Sequence, residues 1–231
     1  MKVSVVEGIL SANDEIAIQN KQVLDAHGIY AINIMAAPGG GKTSLILRTI
    51  DALRHRLRIA VVEGDVASTV DADRVAVKAV PVVQINTGGQ CHLEAQMVRR
   101  ALGQLPLPDL DLLLIENVGN LICPVEFKLG EDLNVMITSV PEGDDKPYKY
   151  PGIFVAVDAV IINKIDLLPY VRFDVAAFRK LVQGMNPDVK VFEVSCETGQ
   201  GIESWAEWVA QQRERKSEST SLYKRGDSKT H

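Results

Sequence analysis

The chain has 231 residues, 46% of them hydrophobic and 5% aromatic, with a formal net charge of -5 and three cysteines. That length buries a full core, and an aliphatic-rich, aromatic-poor composition fits a parallel sheet, not a disordered chain. The acidic balance gives no general case for nucleic-acid binding, and no apolar run approaches the roughly 20 residues of a membrane span. The N-terminus does not read as a signal peptide, and the cysteines are too few for a disulfide framework, so a cytoplasmic protein is expected.

Ser11-Ala12-Asn13-Asp14 has the pattern of a helix N-cap with an acid in the first turn. Ile16, Ile18, Val23 and Leu24 line the helix that follows, which can end at Gly28. Residues 1–28 are therefore expected as a helical segment packed against a sheet edge. His27 and His55 stand isolated among polar residues and read as surface side chains.

Tyr30 to Met35 is an apolar strand, and Ser44 to Ile50 has helical apolar spacing. Between them runs Ala36-Ala37-Pro38-Gly39-Gly40-Gly41-Lys42-Thr43. Strand, glycine-rich loop, then Lys-Thr opening a helix is the context of a phosphate-binding loop. The first position of G-x-x-x-x-G-K-[ST] is Ala36 here, small enough for a strand end. Pro38 belongs to the phosphate-binding loop, and the amides free at the helix start, from Gly39-Gly40-Gly41 through Ser44, face the phosphates. Lys42 reaches the β- and γ-phosphates, and the Thr43 hydroxyl holds Mg²⁺.

Arg58 to Glu63 is a second strand by its β-branched content, delivering Gly64-Asp65 to the ligand end of the sheet. Asp65 can bind Mg²⁺ through water, orient the attacking water, or merely cap the short helix expected from Asp71-Ala72-Asp73-Arg74. Val82 to Asn86 is a third strand, followed by Thr87-Gly88-Gly89-Gln90-Cys91-His92 and a helical stripe through Leu93, Met97, Val98, Ala101 and Leu102. Leu110 to Ile115 is a fourth, ending in Glu116-Asn117-Val118-Gly119. An apolar strand ending in an acid aims a carboxylate at Mg²⁺, and Gly119 suits the amide that meets the γ-phosphate.

Leu133 to Val140 is another strand, with the charged loop Pro141 to Pro147 after it. Ala159 to Ile162 leads into Asn163-Lys164-Ile165-Asp166. In N-K-x-D the Asp carboxylate accepts from guanine N1–H and the 2-amino group, which adenine does not match. Asn163 supports that loop, and the stem of Lys164 can cover the base plane. Val189 to Val194 delivers Ser195-Cys196-Glu197-Thr198-Gly199, which is similar to the GTPase loop whose backbone amide meets the guanine carbonyl. Cys196 then belongs to the base pocket and is not a metal ligand. A helix through Ile202, Trp205, Ala206 and Val209 closes a domain spanning residues 29–211, and residues 212–231 read as a disordered tail. The fold expected is α/β: a mostly parallel sheet with helices on both faces.

Cys91, His92 and Cys123 remain, on loops leaving strands that flank the nucleotide. Thiolate and imidazole suit Zn²⁺ and Ni²⁺, and three ligands make an open site or one completed by water or a second subunit. Spacing alone leaves a buried cysteine pair with a chance histidine equally acceptable.

Three segments carry a resemblance: Gly89-Gln90-Cys91-His92-Leu93-Glu94-Ala95, Glu116 through Cys123-Pro124, and Glu142-Gly143-Asp144-Asp145-Lys146-Pro147. Together they resemble the hydrogenase nickel-incorporation GTPases, the HypB family, over about residues 10 to 210. The resemblance implies a SIMIBI-class P-loop GTPase using GTP/GDP and Mg²⁺, with a Ni²⁺ or Zn²⁺ site of Cys91, His92 and Cys123 at a homodimer interface. It implies delivery of nickel to the large subunit of [NiFe]-hydrogenase beside a HypA-type metallochaperone. Neither an N-terminal cysteine motif nor a histidine-rich stretch stands in this sequence, so the form without dedicated nickel storage is expected. A urease-type nickel GTPase is the nearest alternative, and a GTPase with structural cysteines the next.

Overall fold

The computed structural model describes residues 5–65, 75–76 and 78–226, with side chains at residue 10 and from 12 to 218 within those spans. Among them seven strands form one sheet: β1 (Tyr30–Ala36), β2 (Ile59–Asp65), β3 (Val82–Asn86), β4 (Leu112–Glu116), β5 (Leu133–Ser139), β6 (Ala159–Asn163) and β7 (Lys190–Glu193). Their order is β3-β2-β4-β1-β5-β6-β7, and every neighbouring pair is parallel. Parallel pairing needs crossovers. Helices supply most of them: α2 (Lys42–Leu53), α3 (Ala95–Leu102), the short α4 (Lys146–Lys149) and α5 (Pro151–Ala156), and α6 (Val175–Met185). The first helix, α1 (Val5–Ala26), precedes the sheet and α7 (Ile202–Gly226) follows it.

Alternation along each strand feeds cores on both faces. From β1, Ile32, Ile34 and Ala36 meet Leu45, Ile46 and Ile50 of α2 and Trp205 and Val209 of α7. Ala31 instead joins Leu24, Val98, Leu102 and Ile115, and Met35 joins Phe154, Ile162 and Phe178. The expected α/β fold is the one observed. Chain order reverses around β1, which has β4 on one side and β5 on the other, so its carboxyl end opens onto the crevice where such sheets take ligands.

Three expectations change. No N-cap forms at residues 11–14, because α1 begins at Val5. Its buried stripe is Asn13, Ala17, Asn20 and Leu24, while Ile18 is 59% exposed. Two asparagines occupy core-facing positions, which apolar periodicity cannot reveal. Accordingly α1 lies on the sheet face against α3 and β1, not at an edge. The charged stretch from Gln212 continues α7 through Gly226. Arg213 Nη2 meets Asp111 Oδ1 at 2.8 Å, and Lys216 Nζ meets Asp132 Oδ2 at 2.8 Å and Ile29 O at 2.6 Å. Ion pairs order what apolar patterning does not. The helix expected at residues 71–74 lies outside the described residues.

Candidate nucleotide and metal site

At the end of β1 the chain turns through Pro38, Gly39 and Gly40 into α2. Gly41 takes φ 103°, and a Cβ there would stand 2.3 Å from Asn163 Nδ2, so both conformation and space demand glycine. No side chain caps α2, leaving its first amides for an anion, with Ser44 in that first turn. Thr43 Oγ1 donates to Glu116 Oε1 at 3.0 Å, and Lys42 Nζ lies 3.9 Å from the same oxygen. Thr43 and Glu116 are both buried. A hydroxyl and a carboxylate side by side are the oxygen donors a hard cation prefers. Asp65 ends β2, half-buried at the same end of the sheet. Gly119 lies against the loop, where a Cβ would stand 3.0 Å from Pro38 Cγ.

The base-side residues converge as one bonded unit. Asn163 Nδ2 donates to Gly40 O at 3.1 Å, while its Oδ1 accepts from Lys164 N at 2.8 Å and Cys196 N at 3.3 Å. Lys164 is held at φ 62°, and its Nζ reaches Gly39 O at 2.8 Å. Ser195 Oγ donates to Asp166 Oδ1 at 2.5 Å and accepts from Thr198 N at 3.1 Å. Burial pushes the Cys196 thiol up to about 11, which keeps it neutral. Arg48, given no role by sequence reasoning, donates from α2 to Cys196 O and Glu197 O, each at 2.6 Å. Its partners lie far along the chain, and no local signal announces them.

The second cluster is equally compact. The ligand atoms of Cys91, His92 and Cys123 lie within 4.8 Å of one another, and Cys91 Sγ stands 3.7 Å from His92 Nδ1. Two ligands on one tetrahedral metal stand about 3.5 Å apart, so little motion closes this set around an ion. Burial pushes the His92 imidazole down from its ordinary value, outweighing Glu94 and Glu126, so the ring is neutral at pH 7. Its Nε2 is buried without a hydrogen-bond partner among the described residues. The hydrogen bond with the Cys91 thiol, then desolvation, pushes the Cys123 thiol up. Phe127 stacks on His92 with centroids 3.9 Å apart, a contact the sequence did not suggest.

One buried carboxamide joins the two clusters. Asn117 Oδ1 accepts from Leu93 N at 3.0 Å, next to His92, and from Val118 N at 2.9 Å, next to Gly119. Its Nδ2 donates to Asn33 Oδ1 at 3.1 Å. Asn120 Nδ2 adds a bond to Cys91 O at 3.3 Å. A polar residue directly after a buried strand was the available signal for Asn117.

A parallel sheet, a glycine loop opening a helix, and N-K-x-D bonded back onto that loop define a P-loop nucleotide-binding domain. Residues 30–193 match the family described as CobW/HypB/UreG, nucleotide-binding domain. The hydrogenase maturation factor HypB of Azotobacter chroococcum is 46% identical over 211 residues, covering 91% of this chain and 69% of that protein. Among solved structures, HypB from Archaeoglobus fulgidus superposes with TM-score 0.82 at 41% identity, covering 88% of this chain and 99% of that one. HypB from Helicobacter pylori in complex with nickel gives TM-score 0.84 at 38% identity, covering 88% and 96%. The chain belongs to the HypB family of hydrogenase maturation factors, a family of P-loop GTPases.

Proposed function

We propose that this chain is a slow, Mg²⁺-dependent GTPase that binds Ni²⁺ or Zn²⁺ at Cys91, His92 and Cys123. It acts as a homodimer and delivers nickel to the large subunit of [NiFe]-hydrogenase beside a HypA-type metallochaperone. The observation that carries this reading is the convergence of three soft ligands within 4.8 Å, on segments leaving β3 and β4 at the phosphate-loop end of the sheet. A packing role does not account for Cys91, which is exposed.

Residues 29–211 form the GTP-binding unit. Amides from Gly39 to Ser44, on the turn that Pro38 opens, cradle the phosphates, and Lys42 neutralises charge on the β–γ bridge as the bond to the leaving oxygen breaks. Thr43 and Glu116, with Asp65, are the residues that hold Mg²⁺. Bound there, the ion supplies further neutralisation of the phosphate oxygens. Asp65 also positions the attacking water, and the Gly119 amide senses the γ-phosphate. The motifs of the sequence offer no obvious glutamine to orient that water, which suits a slow switch.

Guanine is read by Asp166, whose carboxylate is fixed by the Ser195 hydroxyl, with Asn163 and Lys164 framing the loop. Within the loop, the amides of Ser195, Cys196, Thr198 and Gly199 are already bonded inside the protein. That leaves the Glu197 amide to donate to the guanine carbonyl. Its peptide is aimed by Arg48, which pins Cys196 O on the opposite side.

Metal enters as cargo. Cys91 is the exposed ligand, His92 is neutral and ready to offer a nitrogen, and Cys123 loses its proton on ligation. Three ligands leave a position for water or for the second subunit, so the cargo can leave. The short run from Glu116 to Cys123 ties nucleotide state to ligand geometry.

The test is Cys123→Ala. Ni²⁺ affinity should fall by at least about a hundredfold while GTP turnover stays near wild type. Unchanged Ni²⁺ affinity would return the cysteines to a structural role.

A further inference from the structure

Two segments carry the three metal-ligand candidates, and α1 is bonded to both. Asn13 Oδ1 accepts from Ala95 N at 2.8 Å, and its Nδ2 donates to Lys128 O at 2.8 Å. Asn20, 1% exposed, donates Nδ2 to Ala95 O at 2.8 Å and to Leu129 O at 2.9 Å. Ala95 follows shortly after His92, and Lys128 directly follows Phe127, whose ring stacks on His92. The four bonds therefore tie down both chain segments just after the two stacked residues.

Gly130 makes the approach possible. It sits at φ 102°, and a Cβ there would stand 2.7 Å from Asn20 Cβ and 2.8 Å from Ala17 O. Backbone runs against helix at a distance that only glycine permits. Buried carboxamides bonded to backbone groups of two other segments fix position strongly, because breaking one contact strands a buried polar atom. Ligands held at binding separation before the metal arrives lose less freedom when it binds.

We infer that Asn13 and Asn20 are positioning residues for the metal site. Helix α1 is a clasp that holds the Cys91–His92 loop and the Cys123–Phe127 segment at metal-binding separation. The inference rests on the metal reading proposed above.

The experiment is a Ni²⁺ titration of the full chain, read by thiolate-to-nickel charge-transfer absorption, with GDP affinity measured in parallel. Asn20→Asp keeps the side-chain shape and leaves at most one donor for the two carbonyls. It should weaken Ni²⁺ binding about tenfold and shift the absorption band, with GDP affinity within about twofold of wild type. Asn13→Asp keeps the acceptor for Ala95 N and loses only the bond to Lys128 O, so its loss should be smaller. Wild-type Ni²⁺ affinity and band in a GDP-binding Asn20→Asp protein would overturn the inference. If Asn20→Asp does not bind GDP, Asn20→Ser and Asn13→Asp decide it by the same criterion. Retained Ni²⁺ affinity in Cys123→Ala would instead remove the metal reading beneath it. Loss in Cys123→Ala with none in the asparagine variants would defeat the clasp alone.

Discussion

The guanine loop and the metal cluster occupy the same end of the sheet but are held in opposite ways. Around the guanine loop, backbone is bonded to backbone through buried or half-buried side chains, and left-handed positions at Gly41 and Lys164 fix the turns. Asn163 alone ties the phosphate loop, its own successor and the Cys196 amide together. The Cys91–His92–Cys123 cluster has an exposed Cys91, a half-buried Cys123 and an imidazole nitrogen without a hydrogen-bond partner among the described residues. Its restraint comes from outside, through Asn117, Asn120 and the two asparagines of α1. A site that must grip one nucleotide shape is rigid in itself. On the proposed function, a site that takes up and releases an ion is left open and positioned from behind.

That contrast can be broken most severely at the phosphates. Lys42→Ala should lower GTP turnover about a thousandfold while leaving Ni²⁺ affinity of the nucleotide-free protein unchanged. Wild-type turnover in that variant, measured by phosphate release, would contradict the assignment of the loop.

The smallest effect separates the thiols. Burial raises Cys196 to about 11 in the folded chain from 9.0, so the unfolded state gives up this proton first as pH rises. Its contribution to stability is complete below pH 9.0 and is lost as pH rises from there to about 11. Cys196→Ala should therefore lose Tm less steeply than wild type across that window. Parallel Tm curves would show that Cys196 is not a buried member of the base loop.

What the sequence made legible follows from the range of the interactions. All seven strands could be read because their apolar runs are local, and their ends fall within about two residues of those expected. The phosphate loop, N-K-x-D and the Cys-His pair are contiguous, so each could be picked out from neighbouring residues alone. Arg48 and Asn117 escaped because their partners are distant in the chain, and a side chain's destination is not written in its neighbours. The Ser11–Asp14 stretch misled for a physical reason: residues common at helix starts can also stand mid-helix, where Asn13 serves another segment from the buried face. The tail misled because, after the apolar stripe of Trp205 and Val209 ends, ion pairs at Arg213 and Lys216 hold the continuing helix to the sheet.

The measurement that bears most directly on the account is a Ni²⁺ titration of wild-type protein with GDP and with a GTP analogue plus Mg²⁺, following mass in solution throughout. Nucleotide and metal joined through the Glu116–Cys123 segment must influence each other reciprocally. The account predicts that the GTP analogue shifts Ni²⁺ affinity and dimer population together. Equal Ni²⁺ affinity in the two nucleotide states, at matched oligomeric state, would contradict it.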